Sequence, residues 1–343
     1  VLPIAAAIAA TAIAATIFTT IFTTTATDQR HAVTMPNLLR LITVALCLLA
    51  LQLPAHAVSI YKYRDADGVV TFTDKPVRGA QVLVYGDRFV EQFDTRVRID
   101  KQPLQSGEML TLVNELHAPV EVDVSLSDLR NVAPLASQHI HKVLPARSRT
   151  ALFALAPQHA GEMRYRQKLR FALSDPNLPA ADYQYALPWS NGQYKVTQGP
   201  GGRFSHQDEK GRHAVDVSMP EGTRITAARA GTVVSIDANQ QEGRGSKTGN
   251  YVRVLHADGT MSVYLHLRHR GVLVKEGQFV NLGDPIAWSG NTGHSTGAHL
   301  HFVVQKNVGM KVVSVPFKFS GPEGIARAPK AGDWLGNSEV ATR

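Results

Sequence analysis

The sequence predicts a mainly β chain: a short N-terminal hairpin domain, an Ig-like β-sandwich and a C-terminal domain built on an antiparallel sheet. Three observations carry that prediction. Apolar and polar residues alternate with a period of two along most of the chain from Ser59 onward. The alternating runs are short and are separated by Gly, Pro and Asp, the residues of turns. No segment shows the 3.6-residue apolar repeat of an amphipathic helix. At 343 residues the chain has room for two domains and a tail or signal.

The first elements concern targeting. Residues 1–27 carry no charge and are long enough to span a bilayer, but their Ala/Thr monotony reads as part of a non-native N-terminal extension, residues 1–34. Residues 35–57 have the layout of a secretory signal: Met35, one Arg, an apolar run from Leu41 to Leu53, a Pro, and Ala55-His56-Ala57 in the A-x-A cleavage pattern. The single cysteine, Cys47, lies within that run, and Leu46 before it is too large for a lipoprotein cleavage site. Beyond Ala57 no cysteine remains, which excludes disulfides and thiol chemistry. The expected location is periplasmic or secreted.

Residues 58–79 read as the hairpin domain. Tyr61, Tyr63, Val69, Thr71 and Thr73 alternate around Asp67-Gly68, a tight-turn pair. The D-x-D-G run lacks the later Glu of an EF-hand, so a turn is the better reading than a calcium loop. This stretch resembles a small domain of unknown function common at the N-termini of secreted proteobacterial proteins.

Residues 80–188 form the sandwich: QVLVYG, TRVRID, MLTLVNEL, VEVDVSL, RTALFAL and MRYRQKLRFAL alternate between turns. Their histidines, His117, His139, His141 and His159, are scattered and read as structural. His139 and His141 have metal-like spacing but no acidic partner nearby in sequence. Residues 191–320 are Gly-rich and continue with TRITAARA, GTVVSIDA, NYVRVLHA, TMSVYLHL, DPIAWSG and AHLHFVVQ; residues 321–343 read as a polar tail. The net charge of +8 suits nucleic acid, anionic lipid or an acidic polymer equally. Export and the lack of any concentrated basic run argue against nucleic acid.

The chemistry concentrates in GHSTGAHLHF, residues 293–302, which carries two incompatible signals. GHSTG fits the G-x-S-x-G nucleophile pattern with Ser295 as nucleophile. That pattern requires a helix after the Ser and an acid then a His further on, whereas AHLHFVVQ alternates like a strand and no His follows Asp333. The serine reading fails on context. In a strand, residues two apart share a face, so His299 and His301 point together while Leu300 and Phe302 point into the core. Two imidazoles on one polar face suit a metal, and a catalytic zinc takes three protein ligands and leaves a fourth position for water. Upstream, Asp216 sits between Val215 and Val217, where a carboxylate wants a cation, and His206 and His213 are both near enough to join it. His266 ends an alternating run and is read on one face with Ser262 and Tyr264.

Taken in order, SH, HAVD, GT, AARAGTVV, NYVRVLH, VYLHL and SGNTG-x-STGAHLHF make residues 193–310 similar to the lysostaphin-type (LytM-like) zinc endopeptidases, which cut peptide bonds in bacterial peptidoglycan. The resemblance implies Asp216 and His301 as zinc ligands and His266 and His299 as catalytic histidines. The common H-x-x-x-D pattern is broken, because Arg212 stands four residues before Asp216 and cannot bind zinc. A secreted branch of the family carries an S-H pair instead, which favours His206 as the first ligand over His213. Gly290, Gly293 and Gly297 give a tight connection into the His strand and room for a substrate backbone. His256 reads as a strand-end residue, His269 as solvated, and His294 lies beside the site, where substrate would pass. The implied partner is the peptide stem of peptidoglycan, with D-alanyl to diaminopimelate bonds favoured over glycyl bridges. The rival reading is an inactive relative that binds and activates another cell-wall hydrolase.

Overall fold

A computed structural model describes residues 58–73, 81–85, 96–242, 248–321 and 326–336, all in strands, turns and irregular chain, with no helix among them. The expectations for residues 1–57, the extension and the signal, lie outside the described residues. Among the described residues no helix is long and apolar enough to cross a membrane.

Strands β1 (Val58–Arg64), β2 (Val70–Thr73) and β3 (Gln81–Tyr85) form an antiparallel sheet in the order β2-β1-β3. The turn between β1 and β2 is closed by the Asp65 carboxylate, which accepts the amides of Asp67 and Val69 at 3.0 Å each. The segment QVLVY, expected to open the sandwich, pairs with β1 instead, so the N-terminal sheet extends to Tyr85. Lys195 holds this hairpin against the C-terminal domain through Asp65 at 2.8 Å and Asp67 at 2.7 Å.

Strands β4 (Val97–Leu104), β5 (Gly107–Asn114), β6 (Val120–Arg130), β7 (His139–Leu144), β8 (Ser148–Leu155) and β9 (Arg164–Leu173) make two three-stranded sheets, β4-β5-β8 and β7-β6-β9. Leu110, Phe153 and Leu155 from one sheet and Val124 and Leu126 from the other are buried in a common cluster. His139 and His141, without acidic neighbours in sequence, receive them across the sheet: Asp123 at 3.0 Å and Glu121 at 2.8 Å.

The C-terminal region contains β10 (Gln184–Tyr185), β11 (Gln193–Gln198), β12 (Val215–Ser218), β13 (Arg224–Thr226), β14 (Gly231–Asp237), β15 (Asn250–Leu255) and β16 (Thr260–Val272). It continues with β17 (Phe279–Val280), β18 (Pro285–Ser289), β19 (His299–Asn307), β20 (Val312–Ser314), β21 (Lys318–Ser320), β22 (Ala326–Arg327) and β23 (Trp334–Gly336). The main sheet runs β17-β14-β15-β16-β19-β12-β11-β23. The expected polar tail is corrected here: β23 pairs with β11 at the sheet edge, and Leu335 is buried in the core. One face of the sheet is apolar, with Val217, Val252, Tyr264, Leu300, Phe302 and Val304 all buried together. Burying such side chains contributes roughly 1.5–3 kcal/mol each, which fixes strand register and therefore which side chains face the other way.

Candidate metal centre

The other face of the sheet carries the site. Strands β12 and β19 are antiparallel neighbours with Asp216 directly opposite His301 and Ser218 opposite His299. Because Val215 and Val217 on one strand and Leu300 and Phe302 on the other are held in the core, the intervening Asp216, His299 and His301 must project to the opposite side. His206 arrives from the loop after β11 and is fully buried.

Three donor atoms converge there. His206 Nε2 lies 3.2 Å from Asp216 Oδ1 and 3.3 Å from His301 Nδ1, and His301 Nδ1 lies 2.8 Å from Asp216 Oδ1. A tetrahedral ion with bonds of about 2.0–2.1 Å sets its ligand atoms about 3.3–3.4 Å apart, so this triangle needs little movement to hold one. The donor set, two imidazoles and a carboxylate, fits a borderline divalent metal such as zinc. Of the two candidate first ligands, the fold brings in His206 and leaves out His213, whose amide instead donates to Ser314 Oγ at 3.2 Å.

Each group is oriented by a further contact. His206 Nδ1 donates to the Gly199 carbonyl at 2.9 Å, which leaves the Nε2 lone pair facing the centre. The Asp216 Oδ2 atom accepts from Gln198 Nε2 at 2.7 Å, leaving Oδ1 inward. Sequence reasoning missed Gln198 altogether; its only trace is a polar residue ending a strand that is otherwise half buried.

His266 and His299 flank the centre with ring centroids 4.7 Å apart. Both tie Nδ1 to a backbone carbonyl, His266 to Thr292 at 2.9 Å and His299 to Gly297 at 2.7 Å, so each presents Nε2 to the cleft. His299 Nε2 is 3.8 Å from Asp216 Oδ1. His266 departs from the face expected for it. Ser262 and Tyr264 lie on the core side, but a bulge between β15 and β16 and a left-handed backbone at His266, φ 61°, turn its ring over to the His299 side.

Electrostatics divide four of these residues, Asp216 and His206 from His266 and His299. Burial opposes charge on Asp216, yet His206 and His301 hold its carboxyl well below the usual range. Burial likewise opposes charge on His206, and Asp216 outweighs it and raises its pKa. For His266 burial and then the neighbouring His299 and His301 push the pKa well down, and for His299 burial pushes it down against the pull of Asp216. The two flanking imidazoles are therefore held neutral.

Ser295 lies in the irregular chain between β18 and β19, with no helix after it, and its hydroxyl donates to the Gly297 carbonyl at 3.0 Å while lying 3.1 Å from His299 Nδ1. It braces the loop that carries His299. The cleft is lined by Phe204, Lys210, Thr248, His294 and Gln305 around His266, His299 and His301. Gly293 sits at φ 77°, where an added Cβ would fall 2.3 Å from the Gly249 amide; only glycine permits that approach.

Fold and site together define a β-sheet protein with a two-histidine, one-aspartate cluster whose donor atoms could hold a metal. Residues 210–312 match peptidase family M23, and residues 45–106 match DUF4124, a domain of unknown function. Over those stretches the chain is similar to lysostaphin/LytM-type M23 peptidases and, ahead of them, to DUF4124. An uncharacterized metalloprotease of Haemophilus influenzae is 42% identical over 110 residues, covering 31% of this chain and 22% of its own. The peptidoglycan DD-endopeptidase ShyA of Vibrio cholerae is 36% identical over 114 residues, covering 32% of this chain and 25% of its own. Among solved structures, the catalytic domain of the antimicrobial peptidase lysostaphin from Staphylococcus simulans is 28% identical, covering 39% of this chain and 84% of that one, with a TM-score of 0.26. The match therefore spans a quarter or less of those two curated relatives.

Proposed function

We propose that this chain is an exported, zinc-dependent endopeptidase that hydrolyses peptide cross-links of bacterial peptidoglycan. The observation that carries the reading is the set of five side chains gathered over one sheet face, four from strands and His206 from a loop, three with donor atoms within 3.3 Å of one another and two with Nε2 presented beside them. A relative named as a peptidoglycan DD-endopeptidase supports the substrate class. The A-x-A segment ending at Ala57 supports export, and the basic surface is compatible with an anionic wall.

His206, Asp216 and His301 would hold the zinc. When bound, zinc lowers the pKa of a coordinated water toward neutrality and polarises the scissile carbonyl. The chain's own residues do the rest. His299 and His266, held neutral by burial, accept a proton at Nε2 and return it to the leaving amine. Their Nδ1 contacts with the Gly297 and Thr292 carbonyls keep the rings aimed through both steps. Among the described residues, the lining of the cleft comes from Phe204 to Gln305 of the C-terminal domain.

Digestion of purified peptidoglycan by the full chain tests this. Release of uncross-linked peptides that stops on chelation and returns with zinc is the expected result. Zinc should be lost in His206→Ala and kept in His213→Ala. Bound zinc with no cleavage would overturn the enzyme reading and leave a regulator of another hydrolase.

A further inference from the structure

Gln198 ends β11 with a buried carboxamide whose atoms are all engaged. Nε2 donates to Asp216 Oδ2 at 2.7 Å and to Ser205 Oγ at 2.9 Å, while Oε1 accepts the Phe204 amide at 3.0 Å. It thereby joins the strand bearing Asp216 to the loop bearing His206. A carboxylate left to rotate can bind a metal through either oxygen or through both. Here Oδ2 is claimed, and Oδ1 alone faces His206 and His301.

The chain makes room for this side chain. A Cβ at Gly202 would lie 2.3 Å from Gln198 Cγ and 2.7 Å from its Oε1, although the φ of Gly202 lies outside the left-handed region and would itself accept alanine. The amide of Gly202 donates to the Gly199 carbonyl and its own carbonyl accepts the His206 amide, at 3.1 Å each. Gly199 O in turn accepts from His206 Nδ1. One short segment, Gln198 to Gly202, thus orients two of the three candidate ligands.

We propose that Gln198 is a positioning residue that restricts Asp216 to a single inward oxygen, and that Gly202 is glycine because Gln198 occupies the space of its side chain. This rests on the reading of His206, Asp216 and His301 as the metal centre. Outer contacts of this kind affect metal affinity by 10–100-fold when removed.

The experiment uses the full chain, metal-free, as wild type, Gln198→Met, Gln198→Glu and Gly202→Ala. Zinc affinity is measured by competition with a chromophoric chelator, coordination by the visible absorption of bound cobalt(II), and folding by thermal melting of the metal-free form. All three variants are expected to bind zinc about 10–100-fold more weakly with a changed cobalt(II) spectrum; Gln198→Met also leaves the buried Phe204 amide without its acceptor, so its metal-free melting temperature should fall while the chain stays folded at the temperature of the titration. Gly202→Ala removes no polar group, and if its loss of affinity comes from displacing Gln198 then adding it to Gln198→Met should cost nothing more; a further loss in the double variant would instead place the effect in the His206 loop and overturn the account of Gly202. Folded variants that match wild type in both affinity and spectrum overturn the assignment. A wild type that takes up neither metal overturns the metal centre itself, a different result.

Discussion

At the scale of the residue, what separates working histidines from structural ones is the fate of Nε2. His256, His266 and His299 are all buried, and all tie Nδ1 to a backbone carbonyl. In His256 the other nitrogen ends on Ser262 Oγ at 3.1 Å, inside the core, whereas in the other two it opens on the cleft. Replacing His266 or His299 by Ala should therefore lower peptidoglycan hydrolysis by about 10²–10⁴-fold, the usual contribution of a positioned acid or base, with zinc still bound by elemental analysis. Asp216→Ala should lose the zinc as well. His256 makes a different prediction. Burial pushes its pKa down to about 4, so between there and the ordinary value near 6.5 the unfolded chain binds more protons than the folded one. Its contribution is whole above about pH 6.5 and is lost as pH falls toward 4, by an amount on the order of 3 kcal/mol. Urea titrations at pH 7 and pH 4.5 should show the loss, and His256→Asn should flatten it.

At the scale of the element, strand alternation made β19 legible in advance, because Leu300 and Phe302 belong to the core and leave His299 and His301 no other side. Asp216 was legible for the same reason, flanked by Val215 and Val217 on β12. His266 was legible as a member of the site but not in its orientation, since alternation sends it to the Tyr264 side and only the bulge reverses it. That bulge is held by residues distant in sequence. Thr292 Oγ1 donates to the Leu267 carbonyl at 2.6 Å and accepts the Asn250 amide at 3.0 Å, and Asn250 Nδ2 adds a second bond to Leu267 O at 3.1 Å. Gln198 was invisible for a similar reason, because its partners lie across a loop and a strand pairing that no local pattern reports. Thr292→Val keeps the shape and removes the hydroxyl, leaving the buried Asn250 amide without its acceptor. The expected cost is about 1–3 kcal/mol in denaturant unfolding, together with reduced hydrolysis as His266 loses its position. Thr292→Ser should restore both. Unchanged stability and activity in Thr292→Val would mean the strand holds its bulge without help.

At the scale of the molecule, the sandwich and the C-terminal domain share a core. Val97, Leu112, Leu116, Val120 and Val122 pack in one buried cluster with Val234 and Met261 from β14 and β16. The polar part of the joint centres on Glu121, buried on β6, which accepts from Asn307 Nδ2 at 2.9 Å and from the Met310 amide, while Ser174 Oγ donates to the Gly259 carbonyl at 2.8 Å. Arg96 and Glu276 add an ion pair at 2.8 Å. Burial works against charge on Glu121, but the Met310 amide, Asn307 and His141 together hold its carboxyl below the usual range. A carboxyl with a depressed pKa stabilises the fold above its ordinary value near 4.5 and loses that contribution as pH falls further. A sandwich joined this way cannot swing as an independent flap over the cleft, so it should melt with the C-terminal domain. Calorimetry at pH 7 should give one cooperative transition for the two. Glu121→Ala leaves the Met310 amide unpaired in the joint, a cost of about 1–3 kcal/mol, which for a unit of this size lowers the melting temperature by about 2–10 °C. The whole transition should move, because the joint belongs to both partners. Two separate transitions in the wild type, with only the earlier one sensitive to Glu121→Ala, would show instead that the sandwich unfolds alone and is free to act as a gate.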